Sequence, residues 1–204
     1  MTTNTAFAEI IESTLHGWLA QSWQWDHFPP YGSLISITQS KRTLIGLVHQ
    51  VKTGSMDPVR HPFAYQKTEQ ELMREQPQIF EFLKTSFSCI FLGYQENDSL
   101  FYSLAPEPVK IHSFVQQASL DISRRFFHNP DYLHLLFGFA HHVDNLDELL
   151  LALLKNTAQM SILTHTQLEQ FMNTYALLTG NDYRRIKLFL HRAQHISATI
   201  NPKP

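Results

Sequence analysis

Residues 29–94 constrain this chain most, because they alternate strand-like runs with glycine punctuation and then insert one polar helix. That is the layout of a small barrel with a decorated loop. After Pro29, Pro30 and Gly32, residues 33–38 read SLISIT, with Leu34, Ile35 and Ile37 supplying the apolar content, and residues 39–42 form a polar hairpin loop. Residues 43–52, TLIGLVHQVK, read as a strand in which Gly46 marks a bend or a close approach of another backbone. The chain then leaves the sheet through TGSMDPVRHPFAY, where Gly54, Pro58 and Pro62 break regular structure. Thr68 and Glu71 predict a capping box, and Pro77 either kinks the helix or starts a second turn carrying Ile79, Phe80, Phe82 and Leu83. Residues 86–94, SFSCIFLGY, are the clearest strand, and residues 99–104 and 110–115 are expected to complete the barrel.

The start of the chain admits two readings. Phe7, Ile10, Ile11, Leu15, Trp18 and Leu19 fit a helical stripe, yet residues 7–13 and 15–23 also read as two short strands. Beyond residue 118 the pattern turns helical. Asn129 and Pro130 predict an N-cap and first helical position, Asn145 with Glu148 caps a strongly apolar helix, and Thr166 with Glu169 caps a third. Gly180 ends that helix and residues 182–196 form a fourth. Short connections imply antiparallel neighbours.

The fold class expected is α+β: a six-stranded antiparallel barrel domain over residues 5–117, with a helical insertion at about 68–84, followed by an α-helical region over residues 118–200. A chain of 204 residues buries roughly 70 % of its unfolded surface without staples. Charged residues are only 17 % of the chain, against a usual share of about 25 %. The surface must then be covered partly by neutral polar and apolar groups, and exposed apolar patches mark partner contacts. A formal charge of −2 offers no broad field for a polyanion. Half-protonating the twelve histidines near pH ~6.5 would add about six charges, which bears first on solubility.

Cys89 stands alone, so no intrachain disulfide forms, and a reducing, cytoplasmic setting is expected. The N-terminus lacks a secretory pattern, and the longest apolar stretches, LHLLFGFA and LDELLLALL, fall short of the ~20 residues that span a bilayer.

The seven glycines supply no phosphate loop ending in GKS or GKT, no GxGxxG and no GxSxG. His141 and His142 beside Asp144, and His191 with His195 at i, i+4, are weighed as metal ligands, but adjacent histidines point in different directions on a helix and no HExxH is present. Cys89 reads as a buried structural thiol, and the scattered carboxylate pairs carry no separable acid and base roles. No catalytic residue, cofactor or metal is therefore assigned.

Two surfaces remain. The excursion and its helix place Asp57, Arg60, Tyr65, Arg74 and Gln76 in a proline-fixed segment, which suits the presentation of a fixed surface to a partner. Arg184, Arg185, Lys187 and Arg192 cluster on the polar side of the last helix, a face for a nucleic-acid backbone or simply a solvated one.

The turn Pro29-Pro30 with Gly32-Ser33, the run Ile45-Gly46-Leu47-Val48, Thr53-Gly54-Ser55 and EQPQIF followed by LGY together resemble the HAS-barrel. That module stands at the N-terminus of HerA-type DNA-translocating ATPases and of the catalytic subunits of rotary ATP synthases. The similarity spans residues 7–115, favours two strands at the start of the chain, and is closest to stand-alone proteins of cyanobacterial type that lack a motor domain. It implies side-by-side barrel association or docking onto a ring, and transfers no catalytic residue. The expectation is a non-enzymatic assembly or adaptor protein that self-associates or docks onto a larger complex; the alternative is an accessory of a DNA-processing motor contacting nucleic acid through the last helix.

Overall fold

The computed structural model describes residues 6–57, 59 and 62–200. Among these, seven strands are joined by antiparallel pairings: β1 (Ala6–Ser13), β2 (Gly17–Ser22), β3 (Leu34–Gln39), β4 (Arg42–Ser55), β5 (Leu83–Glu96), β6 (Ser99–Phe101) and β7 (Phe114–Gln117). The order β2-β1-β7-β3-β4-β5 closes on itself when β2 pairs with β5, giving a six-stranded antiparallel barrel with β6 as an extra strand.

The start of the chain resolves as two strands because each finds two antiparallel neighbours. β1 lies between β2 and β7, and β2 lies between β1 and β5. Those pairings satisfy the backbone groups that an isolated helix would have satisfied within itself. The hairpin between them is held by Thr14, whose hydroxyl accepts from the amides of His16 and Gly17 at 3.2 Å each. Gly17 opens β2 rather than interrupting it, and a Cβ there would stand 2.2 Å from the carbonyl oxygen of Cys89. The barrel closes at this glycine.

Three strand expectations change. β4 and β5 run on past residue 52 and start before residue 86, through Thr53↔Thr85, Gly54↔Lys84 and Ser55↔Leu83. Gly54 does not break the strand, since it pairs with Lys84 in the ladder, and the Thr53 and Thr85 hydroxyls meet at 2.7 Å beside it. The stretch 99–104 is not a stave: only Ser99–Phe101 pairs, on the part of β5 beyond the reach of β2. The sixth stave is β7, later than residues 110–115. Pro106 and Pro108 lack ladder donors and His112 turns the chain at φ 66°, so pairing resumes only afterwards. Inside the barrel, the space a Cβ at Gly46 would fill belongs to the Trp18 indole, 2.5 Å away, with the Ile90 carbonyl oxygen at 3.2 Å, and the register shifts at Ile45/Gly46, so a bulge and close neighbours meet at this glycine.

Two cores result. Ile35, Ile37, Leu44, Val48, Phe87 and Phe91 fill the barrel. Leu34, Ile45, Leu47, Ile90 and Leu92 point the other way and pack under the helices. β3, β4 and β5 are thus apolar on both faces, the condition that produces continuous rather than alternating hydrophobic runs.

The helices are α1 (Glu69–Glu75), α2 (Gln78–Glu81), α3 (Leu120–Phe126), α4 (Tyr132–Gly138), α5 (Leu146–Gln159), α6 (His165–Leu178) and α7 (Tyr183–Ile200), with a 3₁₀ turn at Ala140–His142. Thr68 and Glu71 form the expected capping box, and the Asn145 side chain accepts from the Glu148 amide at 3.2 Å. α3, capped by Ser119, is an element the sequence pattern did not reveal. α4 starts two residues late: Asn129 accepts from the Asp131 amide in a local turn instead of capping. The cap of α6 is Thr164 with Gln167, not Thr166 with Glu169, because Thr164 is the last extended residue and Thr166 already lies in the helix. Gly180 takes φ +66° after α6. α5 is the central helix: Leu149, Leu150, Leu153 and Leu154 are buried against the barrel wall and its helical neighbours.

Candidate functional site

The segment between β4 and β5 departs most from a self-sufficient fold. Its neck is closed by the Met56 amide donating to Phe82 at 2.7 Å, and the Asp57 carboxylate accepts from the Val59 amide at 2.9 Å in a tight turn. Lys67 pairs with Glu75, which Arg74 also approaches at 3.6 Å; the lysine hydrogen bond draws the Glu75 carboxyl below its usual range. Trp25 stacks on Phe80 at 5.6 Å and anchors α2 to the barrel end. Yet no described residue from 56 to 82 is buried, and neither α1 nor α2 buries a single side chain. Val59 is 85 % exposed, Phe63 70 % and Phe82 53 %, with Met56 and Met73 at 48 %. Two helices with no buried side chain and a row of exposed apolar residues form an exposed apolar surface.

The predicted partner residues occupy this segment without converging on one pocket. Asp57 shapes the neck turn, the Tyr65 ring lies 4.4 Å from that of Phe63, Arg74 turns toward Glu75, and Gln76 ends α1 with its amide donating to Leu72. Arg60 lies outside the described residues. The apolar members Val59, Phe63, Met73 and Phe82 were missed as site residues. Their signal was legible as large apolar residues inside a proline-broken stretch with no partner strand.

The four cations of α7 divide into two pairs. Arg185 makes a two-bond contact to Asp147 at 3.0 and 2.7 Å, and lies over the Phe137 and Tyr175 rings. Arg192 reaches Glu148 at 2.5 Å. Both bind α7 to α5. Tyr175 donates to the same Asp147 at 3.1 Å, and burial together with that carboxylate pushes its phenol up to about 12. Arg184 and Lys187 keep no carboxylate partner among the described residues; Lys187 lies 6.0 Å from the Tyr183 ring centre. Tyr183, Leu188 and Leu190 flank them, exposed.

A third feature joins residues far apart in sequence. A cleft of about 340 Å³ between the β1–β2 hairpin, β4 and the 3₁₀ turn is lined by His16, His49, His142, Glu12 and Phe139, with Cys89 in its wall. His49 is the extra residue of a bulge in β4, between Val48↔Cys89 and Gln50↔Ser88, which turns it toward the helical layer. Burial pulls its imidazole below the ordinary range; Asp144 opposes this and His142 adds to it. The His141 and His142 rings approach to 4.0 Å, closer than a helical geometry predicts. Among the described residues no three His, Cys, Asp or Glu side chains stand so as to hold a metal ion. Burial also pushes the Cys89 thiol well above its ordinary range, the opposite of what a nucleophile needs.

No protein-family model matches this chain, and no curated protein matches it in sequence. No helix among the described residues is long and apolar enough to cross a membrane.

Proposed function

We propose that this protein is an assembly or adaptor module of the HAS-barrel kind, which uses the excursion between β4 and β5 to self-associate or to dock onto a larger complex. The observation that carries the reading is that residues 56–82 hold two helices and five exposed large apolar side chains but bury none of them. Apolar surface of that kind is stabilised by covering it, and no described residue of the chain buries these side chains. The closed six-stranded barrel supports the family resemblance, and β4 and β5 pair on to Ser55↔Leu83, so the excursion leaves from the end of that hairpin. The nucleic-acid alternative has less support, since Arg185 and Arg192 are engaged by Asp147 and Glu148, leaving two cations where tight phosphate binding uses several.

The test is affinity capture from native cells with the intact chain and with a Phe63→Ser/Phe82→Ser variant as baits. The same proteins, additional copies of this chain included, are expected to be lost from the variant. Recovery of identical partner sets by both baits overturns the assignment of the surface.

A further inference from the structure

We infer that the excursion of one copy of this chain receives the exposed face of α7 of a second copy, so that the protein assembles head to tail. This rests on the docking reading above and names the partner. Residues 56–82 contain five acidic residues against three basic ones, whereas residues 183–196 contain four basic and no acidic residue. Internal pairing removes part of each set and leaves complementary remainders. On the excursion, Lys67 and Arg74 both turn to Glu75, while Glu69 and Glu81 hold no ion pair among the described residues. On α7, Asp147 and Glu148 engage Arg185 and Arg192, while Arg184 and Lys187 meet no carboxylate among the described residues, Lys187 lying 6.0 Å from the Tyr183 ring centre.

Each remainder lies among exposed apolar side chains: Phe63, Met73 and Phe82 on one side, Tyr183, Leu188 and Leu190 on the other. Opposite charge over apolar area is the composition of a specific interface, with the charges setting register and encounter rate.

Among the described residues no ion pair or ring contact joins the two faces within one molecule. The helical layer packs on β4 near Leu47, and the excursion departs at Ser55, eight residues on, which at about 3.3 Å per residue is roughly 26 Å along the strand. α7 packs instead on α5 and α6. Made once between each pair of copies, the contact is heterologous and builds closed rings or open chains.

The experiment is sedimentation velocity of the full chain over a concentration series at low salt, with Glu69→Lys/Glu81→Lys and Arg184→Glu/Lys187→Glu as charge-reversed variants. The wild type is expected to gain mass with concentration, each variant alone to associate about tenfold or more weakly, and an equimolar mixture of the two variants to recover association, since each then offers the other a complementary face. A wild type that stays monomeric, variants that associate as well as the wild type, or a mixture that recovers nothing each overturns the inference. If circular dichroism shows a reversed variant unfolded, the neutral pair Glu69→Gln/Glu81→Gln with Arg184→Gln/Lys187→Gln is used, with weakened association expected and unchanged association overturning. A monomeric wild type whose excursion still captures a different protein ends this inference and leaves the docking reading standing.

Discussion

Replacing Gly17 by alanine tests the closure of the barrel directly. The added methyl would stand 2.2 Å from the Cys89 carbonyl oxygen and 3.3 Å from its carbon, and ordinary contact begins at 3.4 Å. The obstacle is backbone, held in place by β4 on its far side through Val48↔Cys89, so no side-chain rotation relieves it. The seam must open by roughly 1 Å at the pairs Gly17↔Ile90 and Trp18↔Cys89, where β2 completes the ring. Overpacking against a rigid target costs about 3 kcal/mol, and for a chain of this length each kcal/mol moves the midpoint by about 2–4 °C, so a fall of about 6–12 °C in Tm is expected. Gly54→Ala is the control: it also lies in a paired strand, but nothing stands within 4 Å of its added Cβ, and its Tm is expected to stay within about 2 °C of the wild type. Thermal melts followed by far-ultraviolet circular dichroism read both. If Gly17→Ala melts together with Gly54→Ala, β2 does not close on β5 and the barrel is an open sheet.

Thr164→Ala removes the capping box of α6 and should lower stability by about 1 kcal/mol in urea unfolding, whereas Thr166→Ala should change it by less than about 0.5 kcal/mol. Asp147→Ala strips Arg185 and Tyr175 of a shared acceptor in a half-exposed site; a loss of about 1–2 kcal/mol with unchanged m is expected, and no change in midpoint would mean the α5–α7 clamp is idle. For His49 the folded state favours the neutral imidazole, because its pKa lies below the unfolded value of 6.5. The unfolded chain therefore binds the extra proton first, and the stability held at neutral pH declines as pH falls from about 6.5 through the folded value, then levels off. His49→Gln should flatten that part of a Tm-against-pH curve; an unaltered slope would show that the cleft histidine stays hydrated.

Much of the chain was legible from its residues because local chemistry dictated it. The apolar runs around Leu34–Ile37 and Leu44–Val48 needed burial on both faces, Thr68 with Glu71 and Asn145 with Glu148 could cap only the helices directly after them, and Gly180 met a left-handed turn. The misses lie where two local signals competed and distant contacts decided between them. Thr164 and Thr166 both precede a glutamine or glutamate by three residues, and the course of the chain entering α6 selected the first. Residues 99–104 resemble a stave, but β2 already occupies the adjoining edge of β5 and leaves room for three residues only. Arg185 and Arg192 looked like part of a basic face until α5 brought Asp147 and Glu148 beneath them.

By itself the sequence determined the order of strands before helices, the strand runs around Leu34–Ile37, Leu44–Val48 and residues 86–94, and the starts of α1 and α5, since capping, periodicity and backbone restriction act over a few residues. Only the tertiary structure decided which edges pair to close the ring, which cations are neutralised, that His16, His49 and His142 share a cleft, and that no described residue of 56–82 is buried. Those outcomes depend on atoms separated by dozens of residues, whose meeting no short-range preference encodes.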